Sequence, residues 1–194
     1  MSTREEYLNN AITEFRADFE QAGTPLPEKI RVACGWPSRG GLANRKRRVG
    51  EIWASTCSDD QNFEIFISPV LKNSEVVLAT LTHELCHAAA GVEHGHKKPF
   101  KKVMKALGLE GKATATVAGE QLLGRIREIV AKLSEYPHAE LHSVDKDKKK
   151  QTTRMLLVKC PACGYQVRTT AKWIEVGLPV CCCGTEMETE EIEE

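Results

Sequence analysis

The chain has 194 residues, of which 41% are hydrophobic, and its 27 basic residues balance its 27 acidic residues. This length is typical of one main domain with a small additional module. The composition excludes a membrane protein, because no apolar run approaches the roughly 20 residues that a membrane-spanning helix requires. The N-terminal segment has no hydrophobic stretch typical of a secretory signal. We therefore expect a cytoplasmic protein.

The first part of the chain is predicted to contain one helix and three strands. Apolar residues at helical spacing indicate a helix within residues 2–23. Apolar segments at 30–36, 49–56 and 62–68 are typical of strands. The turn-rich sequence between the last two segments indicates that they pair as an antiparallel hairpin.

Three helices are predicted to follow, within residues 73–91, 97–109 and 117–136. Asn73 or Ser74 can cap the first of them, and Gly91 can end it. The third has apolar residues along one face, as in a helix that packs on a core. A strand is predicted at 153–159, after a polar and charged segment that marks a domain boundary.

The first of these three helices contains the sequence HELCH, in which His83 and His87 are separated by one helical turn. Both imidazoles therefore project from one face, while Leu81 and Leu85 fall on the other side and can be buried. Two neutral imidazoles supply two zinc ligands. Glu84 lies at a neighbouring angle, where it can reach a water molecule bound to the metal. The pattern predicts a catalytic zinc site.

The predicted site has the parts that peptide hydrolysis requires. Zinc lowers the pKa of its bound water to about 7 and polarises a carbonyl group. Glu84 would act as general base on the zinc-bound water and pass the proton to the leaving amine. A catalytic zinc keeps three protein ligands, and after Gly91 the chain can turn back to present His94 or His96. The spacing does not choose between them, and Glu120 is a further candidate without support.

Five of the eight cysteines lie near the C-terminus, in the sequences CPAC and CCC. In a chain without a secretory signal, such clustering is typical of metal ligands rather than disulfides. The 17 residues between Cys163 and Cys181 match the spacing of a zinc ribbon. Gly164 and Gly184 each follow a cysteine, where glycine eases the tight turn around a bound sulfur. The predicted ligands of a structural zinc ion are Cys160, Cys163, Cys181 and Cys183.

Several residues of this module and three basic clusters bear on nucleic-acid binding. We expect Trp173, Ile174 and Leu178 to pack beside the metal. Arg168 and Lys172 lie next to Tyr165 and Trp173, a mixture that suits either contact with nucleic acid or a packed ribbon. Basic clusters lie at 45–48, 97–105 and 146–150. Each is consistent with phosphate contacts or with a solvated surface.

The sequences HELCHAAAG and GHKKPFKKVMKALGLEGKATAT resemble the SprT-like family, which includes Spartan-type proteases. The strands before the helix, the sequence EYPHAEL and the cysteine module are similar to short bacterial and phage members with a C-terminal zinc ribbon. In the family pattern, a glycine–histidine pair is followed four residues later by phenylalanine, which matches Gly95, His96 and Phe100. The resemblance therefore implies that His96 is the third ligand. It also implies that Cys182 is a spare cysteine.

The resemblance implies an α+β fold. In it, a zincin-like metalloprotease domain, with a small antiparallel sheet and the HExxH helix, precedes a small zinc ribbon. The expected segments are the protease domain at 1–138, a charged linker at 139–152, the ribbon at 153–185 and an acidic tail at 186–194. An edge strand beside the motif helix can pair with an extended substrate. Residues 63–69 are a candidate for that strand or for an ordinary core strand, and Tyr136 and His138 are candidates for stabilising the transition state.

The function expected from these features is zinc-dependent proteolysis. Glu84 is the general base, and His83, His87 and His96 bind a catalytic zinc ion. The resemblance implies that the substrates are proteins on DNA or crosslinked to it, so DNA is an expected partner beside protein substrates. One alternative is a zinc-ribbon nucleic-acid-binding protein with an inactive protease-like domain, although such a scaffold needs no base. The other alternative is a zinc hydrolase that acts on something other than protein.

Overall fold

The computed structural model describes residues 2–42, 47–142 and 155–189. Among these residues, no helix combines the length and the apolar character that crossing a bilayer requires. The chain divides into two compact units, Met1–Ser143 and Val144–Glu194.

Several of the sequence predictions fall on segments that the structure describes in part or not at all. The basic cluster at 146–150 lies entirely outside the described residues. The basic cluster at 45–48, the linker at 139–152 and the acidic tail at 186–194 lie outside them in part.

The described part of the first unit is a mixed α+β structure. Its helices are α1 (Arg4–Gln21), α2 (Ser74–Ala90), α3 (Lys98–Ala106) and α4 (Glu120–Leu133). Its strands are β1 (Ile30–Cys34), β2 (Gly50–Trp53), β3 (Phe63–Ile67), β4 (Leu109–Lys112) and β5 (Ala115–Ala118). The predicted helices and the first three predicted strands are confirmed, with shifts at their ends.

Helix α1 forms because its sequence supplies both a cap and an apolar face. Thr3 and Glu6 make a capping box, in which the Glu6 amide donates to the Thr3 hydroxyl and the Thr3 amide donates to the Glu6 carboxylate. Leu8, Phe15 and Phe19 are fully buried. This face packs on β1, α2 and α4. Helix α1 therefore forms part of the core against which α2, the helix that contains HELCH, is packed.

The central sheet has the strand order β1-β3-β2. Strands β2 and β3 pair antiparallel, with Ile52 opposite Ile65, as the sequence predicted. Strand β1 pairs with β3 in parallel, with Val32 opposite Ile65. The expectation of an antiparallel sheet is therefore wrong for one of the two pairs, because the chain after β1 crosses to the far side of β3 before it forms β2. Both edges of β3 are occupied, so residues 63–69 are not an edge strand.

Strands β4 and β5 form an antiparallel hairpin that the sequence analysis did not predict. Each strand has only four residues, and Gly111 within β4 has a φ of +88°. The predicted third helix included Val117 and Ala118, which belong to β5, and α4 begins only at Glu120. The hairpin lies against α2, so its position depends on tertiary packing rather than on a local sequence signal.

The second unit is built around a small antiparallel sheet. Its described elements are β6 (Met155–Lys159), β7 (Gln166–Thr170), α5 (Ala171–Val176) and β8 (Glu188–Thr189). Strand β6 was predicted, whereas β7, α5 and β8 were not. The strand order is β7-β6-β8, and the buried core consists of Val158, Cys160, Cys181 and Met187. Two of these four core residues are cysteines, which makes the core very small without a bound metal.

Candidate metal centre

Helix α2 presents two histidines on the face that borders a cleft. Asn73 caps the helix through its side chain, and the helix ends at Gly91, as predicted. The buried side of α2 includes Leu81 and Leu85, which are fully enclosed in the core. The ring centroids of His83 and His87, one turn apart on the other side, are separated by 5.1 Å. The division of α2 into a core face and a histidine face is therefore confirmed.

The segment after α2 brings His96 back against these two histidines. Gly91 has a φ of +90° and Gly95 a φ of +48°, left-handed values that glycine adopts readily and that reverse the chain. Nε2 of His96 lies 3.2 Å from Nε2 of His87 and 3.3 Å from Nε2 of His83. The ligand atoms of this cluster, here called the histidine cluster, all lie within 4.8 Å of one another.

The other candidates for a third ligand lie elsewhere. The His94 side chain is 44% exposed, and its Nε2 lies 3.6 Å from the Glu93 carboxylate. Glu120, the first residue of α4, is exposed and is not part of the cluster. Among the candidates that spacing left open, the structure brings His96 into contact with the two motif histidines.

The ligand set predicts the zinc content of two variants. We expect about two zinc ions in the purified wild-type chain, one for each candidate site. His96→Ala removes one of three convergent nitrogens and should lower the content by about one ion, whereas His94→Ala should not change it. Elemental analysis after dialysis measures both. Loss of zinc from the His94 variant together with retention in the His96 variant would show that the third ligand is His94.

Neighbouring side chains hold the three imidazoles in place. The Phe100 ring is fully buried, and its centroid lies 4.1 Å from that of His87, 4.9 Å from His83 and 5.0 Å from His96. Oγ1 of Thr116, on strand β5, lies 2.8 Å from Nδ1 of His83. A hydrogen bond at Nδ1 leaves Nε2 of His83 free for a metal ion and fixes the orientation of the ring.

Burial also sets the protonation state of the cluster. Burial, with a smaller contribution from the nearby His96, lowers the pKa of His83 to about 4. It lowers the pKa of His87 to about 3, with additional contributions from the other two histidines. Both imidazoles are therefore neutral at pH 7, which is the form that binds a metal ion.

Glu84 lies on α2 and lines the same cleft. Only 6% of its surface is exposed. Burial raises the pKa of Glu84 to about 8, while Arg48 opposes this rise and Glu51 adds to it. Burial would also raise the pKa of Glu51, but hydrogen bonds from Ser38, Arg48 and Trp53 lower it instead. The result is one buried acid with a raised pKa beside a second acid that is held ionised.

The cleft has a volume of about 890 Å³. Its walls come from β2, α2 and β5, which supply Gly50, Thr80 and Thr116 respectively. Val76 and Val117 add exposed apolar surface, at 48% and 60% exposure. Gly50 and Thr116 carry no local signal in the sequence, because β2 and β5 reach α2 only through the tertiary fold.

Two residues predicted as transition-state stabilisers do not line the cleft. Tyr136 is buried in the core, where its ring centroid lies 5.3 Å from that of Tyr7. Nε2 of His138 lies 2.8 Å from the Pro69 carbonyl oxygen. Both residues hold the segment after α4 against the rest of the first unit. Their contacts are therefore structural rather than catalytic.

The second unit contains a cluster of four cysteines, here called the cysteine cluster. It consists of Cys160, Cys163, Cys181 and Cys183, with Sγ atoms that lie within 4.8 Å of one another. Gly164 and Gly184 have φ values of +77° and +85°, so both turns that follow a cysteine use the left-handed conformation. Four thiolates and three imidazoles are each compatible with zinc.

The remaining cysteine and the aromatic residues of this unit are exposed. Cys182 is exposed and is not part of the cysteine cluster, although its Sγ lies 3.9 Å from that of Cys181. Leu178 packs against the small core as expected. The expectation that Trp173 packs beside the metal is wrong, because its side chain is 58% exposed and Nζ of Lys172 lies 5.4 Å from its ring centroid.

Comparison with known proteins identifies the family of the first unit. Searches of curated proteins and of solved structures each found no match. A family model described as the SprT-like family matches residues 12–119. This segment is more than half of the chain and contains the histidine cluster, Glu84 and both strands of the β4–β5 hairpin. The chain therefore belongs to the SprT-like family.

Proposed function

We propose that the chain is a zinc-dependent endopeptidase whose active site is the histidine cluster together with Glu84. The observation that carries this proposal is the convergence of three imidazole Nε2 atoms beside a buried carboxylate. Three histidine ligands that leave one coordination position open are typical of catalytic rather than structural zinc. The first unit would then be a zincin-like protease domain covering residues 1–138.

The residues of the cleft have distinct roles in this reaction. His83, His87 and His96 hold the metal, and Thr116 keeps the His83 ring in the orientation that metal binding needs. A bound zinc ion supplies Lewis acidity toward the scissile carbonyl and lowers the pKa of water. Glu84 takes the proton of the attacking water and transfers it to the leaving amine.

The burial of Glu84 favours an enzyme over an inactive scaffold. Burying a carboxylate costs free energy unless it is paired and hydrogen-bonded. Within the described residues no hydrogen bond to the Glu84 side chain compensates this cost, and its pKa is raised to about 8. A strongly shifted acid in a cleft, next to convergent metal ligands, is a feature of catalytic sites. A nucleic-acid-binding scaffold would gain nothing from this residue.

Strand β2 is suited to hold an extended peptide. It pairs with β3 on one side, and in the described part of the chain its other edge has no partner strand. An exposed edge can add a substrate strand through main-chain hydrogen bonds. This assigns to β2 the role that the sequence analysis considered for residues 63–69. The exposed side chains of Val76 and Val117 give the same cleft apolar surface for substrate side chains.

DNA-associated proteins are the substrates that we propose. The described basic surface includes five exposed lysines on and beside α3, none of which forms an ion pair with a described residue: Lys97, Lys98, Lys101, Lys102 and Lys105. In the second unit, Nζ of Lys172 lies 5.4 Å from the ring centroid of exposed Trp173. Tyr165 is also exposed, and Arg168 follows it by three residues in the sequence. Such a combination can bind single strands by charge and stacking. Residues 153–185 would then form a zinc ribbon, joined by a linker at 139–152 and followed by an acidic tail at 186–194.

Cleavage of an unfolded protein by the purified full chain tests the proposal. We expect hydrolysis that stops on removal of zinc by a chelator and returns when zinc is added. The rate at which the chain cleaves a DNA-binding protein should rise when DNA is added. This rise should diminish steeply as the salt concentration increases. Absence of cleavage by the zinc-loaded chain, with and without DNA, would refute the protease; equal cleavage at all salt concentrations would refute only the DNA role.

A further inference from the structure

Gly50 is the point at which the edge strand of the sheet touches Glu84. It is the first residue of β2, it is buried, and it lies opposite Ile67 of β3. A Cβ atom at Gly50 would lie 2.5 Å from Oε1 and 3.1 Å from Cδ of Glu84. It would also lie 2.8 Å from Cγ2 of Thr80. The missing side chain therefore leaves a space that the Glu84 carboxylate fills.

The backbone of Gly50 does not itself require glycine. Its φ lies outside the left-handed region, unlike the φ values of Gly91 and Gly95. A residue with a side chain could adopt this extended, strand-paired conformation without strain. Space, rather than conformational freedom, is what glycine supplies here.

We infer that Gly50 is a positioning residue. Because it has no side chain, the β2 backbone can contact the Glu84 carboxylate and hold it beside the histidine cluster. This inference rests on the proposed protease function. Within the described residues no hydrogen bond holds the carboxylate, so its contact with the β2 backbone at Gly50 determines where it lies. Gly50 acts only through Glu84 and has no side-chain group that could take part in the reaction.

Gly50→Ala should therefore displace Glu84 rather than unfold the protein. Ordinary contact begins at 3.4 Å, so the Oε1 atom must move by about 1 Å. This atom is the end of a flexible side chain, which can move without shifting the backbone. A misplacement of about 1 Å can lower the rate about 100-fold. We expect kcat to fall by this order with KM changed by less than about 3-fold and zinc content unchanged, because substrate and metal contacts remain.

A double-mutant cycle with Glu84 separates positioning from a general packing defect. Glu84→Asp withdraws the carboxylate by one methylene group and removes the close contact. In that background Gly50→Ala should lower kcat by less than about 2-fold, since coupled residues give non-additive effects. Thermal unfolding of the metal-free chain gives a second cycle, measured in a Thr80→Ser background that lacks the other close contact. There, any decrease in Tm caused by Gly50→Ala should disappear when Glu84→Ala is added.

Two further variants act as controls. Thr80→Ser removes the Cγ2 atom that would also contact the new methyl group. Adding it to Gly50→Ala should not restore activity if the effect passes through Glu84. Gly124→Ala on α4 is the matched glycine control, because no atom lies within 4 Å of the position its Cβ would take. It should leave kcat and zinc content unchanged.

The outcomes distinguish this inference from the function on which it rests. A selective fall in kcat that vanishes in the Glu84→Asp background supports it. Three results would overturn it: wild-type activity in Gly50→Ala, recovery of activity through Thr80→Ser, or a fall in Tm that persists in the Thr80→Ser background without Glu84. If the wild-type chain cleaves no protein, the proposed function fails, and the thermal-unfolding cycle still decides whether Gly50 and Glu84 are coupled.

Discussion

Glu84→Gln should abolish proteolysis while leaving the zinc content at about two ions per chain. Glutamine has nearly the same shape as glutamate and fits the space beside Gly50, so the fold and the three imidazole ligands remain in place. Its amide cannot accept the proton of the attacking water. General-base catalysis typically contributes about 10²–10⁴-fold, and we expect kcat to fall by this factor.

The matched control for this experiment is Glu128→Gln. Glu128 lies on α4, its side chain is 71% exposed, and it pairs with Arg125. Exposed ion pairs contribute little to stability, so this variant should keep wild-type activity and zinc content. Cleavage rates on an unfolded protein, measured with elemental analysis of the same samples, test both variants. Full activity in Glu84→Gln would assign the base to another group and remove the central role proposed for Glu84.

The motif helix could be predicted from the sequence because its determinants are local. Helical periodicity separates Leu81 and Leu85 from His83 and His87, and a cap residue and a terminal glycine mark the ends of α2. The spacing of two histidines one turn apart fixes their common face without reference to the rest of the fold. Local spacing alone does not select His96 over His94. That choice depends on the backbone conformation of the two left-handed glycines, Gly91 and Gly95, which reverse the chain.

The walls of the cleft could not be predicted in the same way. Strand β3 reads as a strand in the sequence, yet its central position follows from the crossover between β1 and β2. Thr116 reaches His83 only because a hairpin of two four-residue strands packs on α2. Gly50 supports Glu84 through a contact between residues 34 positions apart in the chain. Such long-range contacts leave no periodic signal in the sequence.

The second unit shows a similar division between local and tertiary determinants. The two turns of the cysteine cluster were predicted from the glycines that follow Cys163 and Cys183, and both glycines adopt left-handed conformations. Exposure of Trp173 was not predicted, because an aromatic residue in a short module is usually part of its core. In this unit the described core contains four buried residues, two of them cysteines, and Trp173 lies outside it.

Cys160→Ser should unfold the second unit in the full-length chain, whereas Cys182→Ser should leave it folded. Cys160 is fully buried and belongs to the cysteine cluster, while Cys182 is exposed and lies outside it. A core this small cannot offset the conformational entropy of folding on its own. Structural zinc supplies an apparent free energy of about 10–16 kcal/mol, and loss of one of four thiolates weakens binding enough to remove that contribution.

Each serine variant replaces one sulfur atom by oxygen, and the two positions lie 22 residues apart. Their comparison therefore separates the loss of metal binding from the loss of a cysteine as such. Zinc content should fall by about one ion in Cys160→Ser and stay constant in Cys182→Ser. Backbone amide NMR signals of β6 and β7 should lose their dispersion only in the first variant, while those of α2 persist in both. Two zinc ions and a folded second unit in Cys160→Ser would show that the cysteine cluster is not what holds this unit together, and loss of zinc in Cys182→Ser would place Cys182 among the ligands.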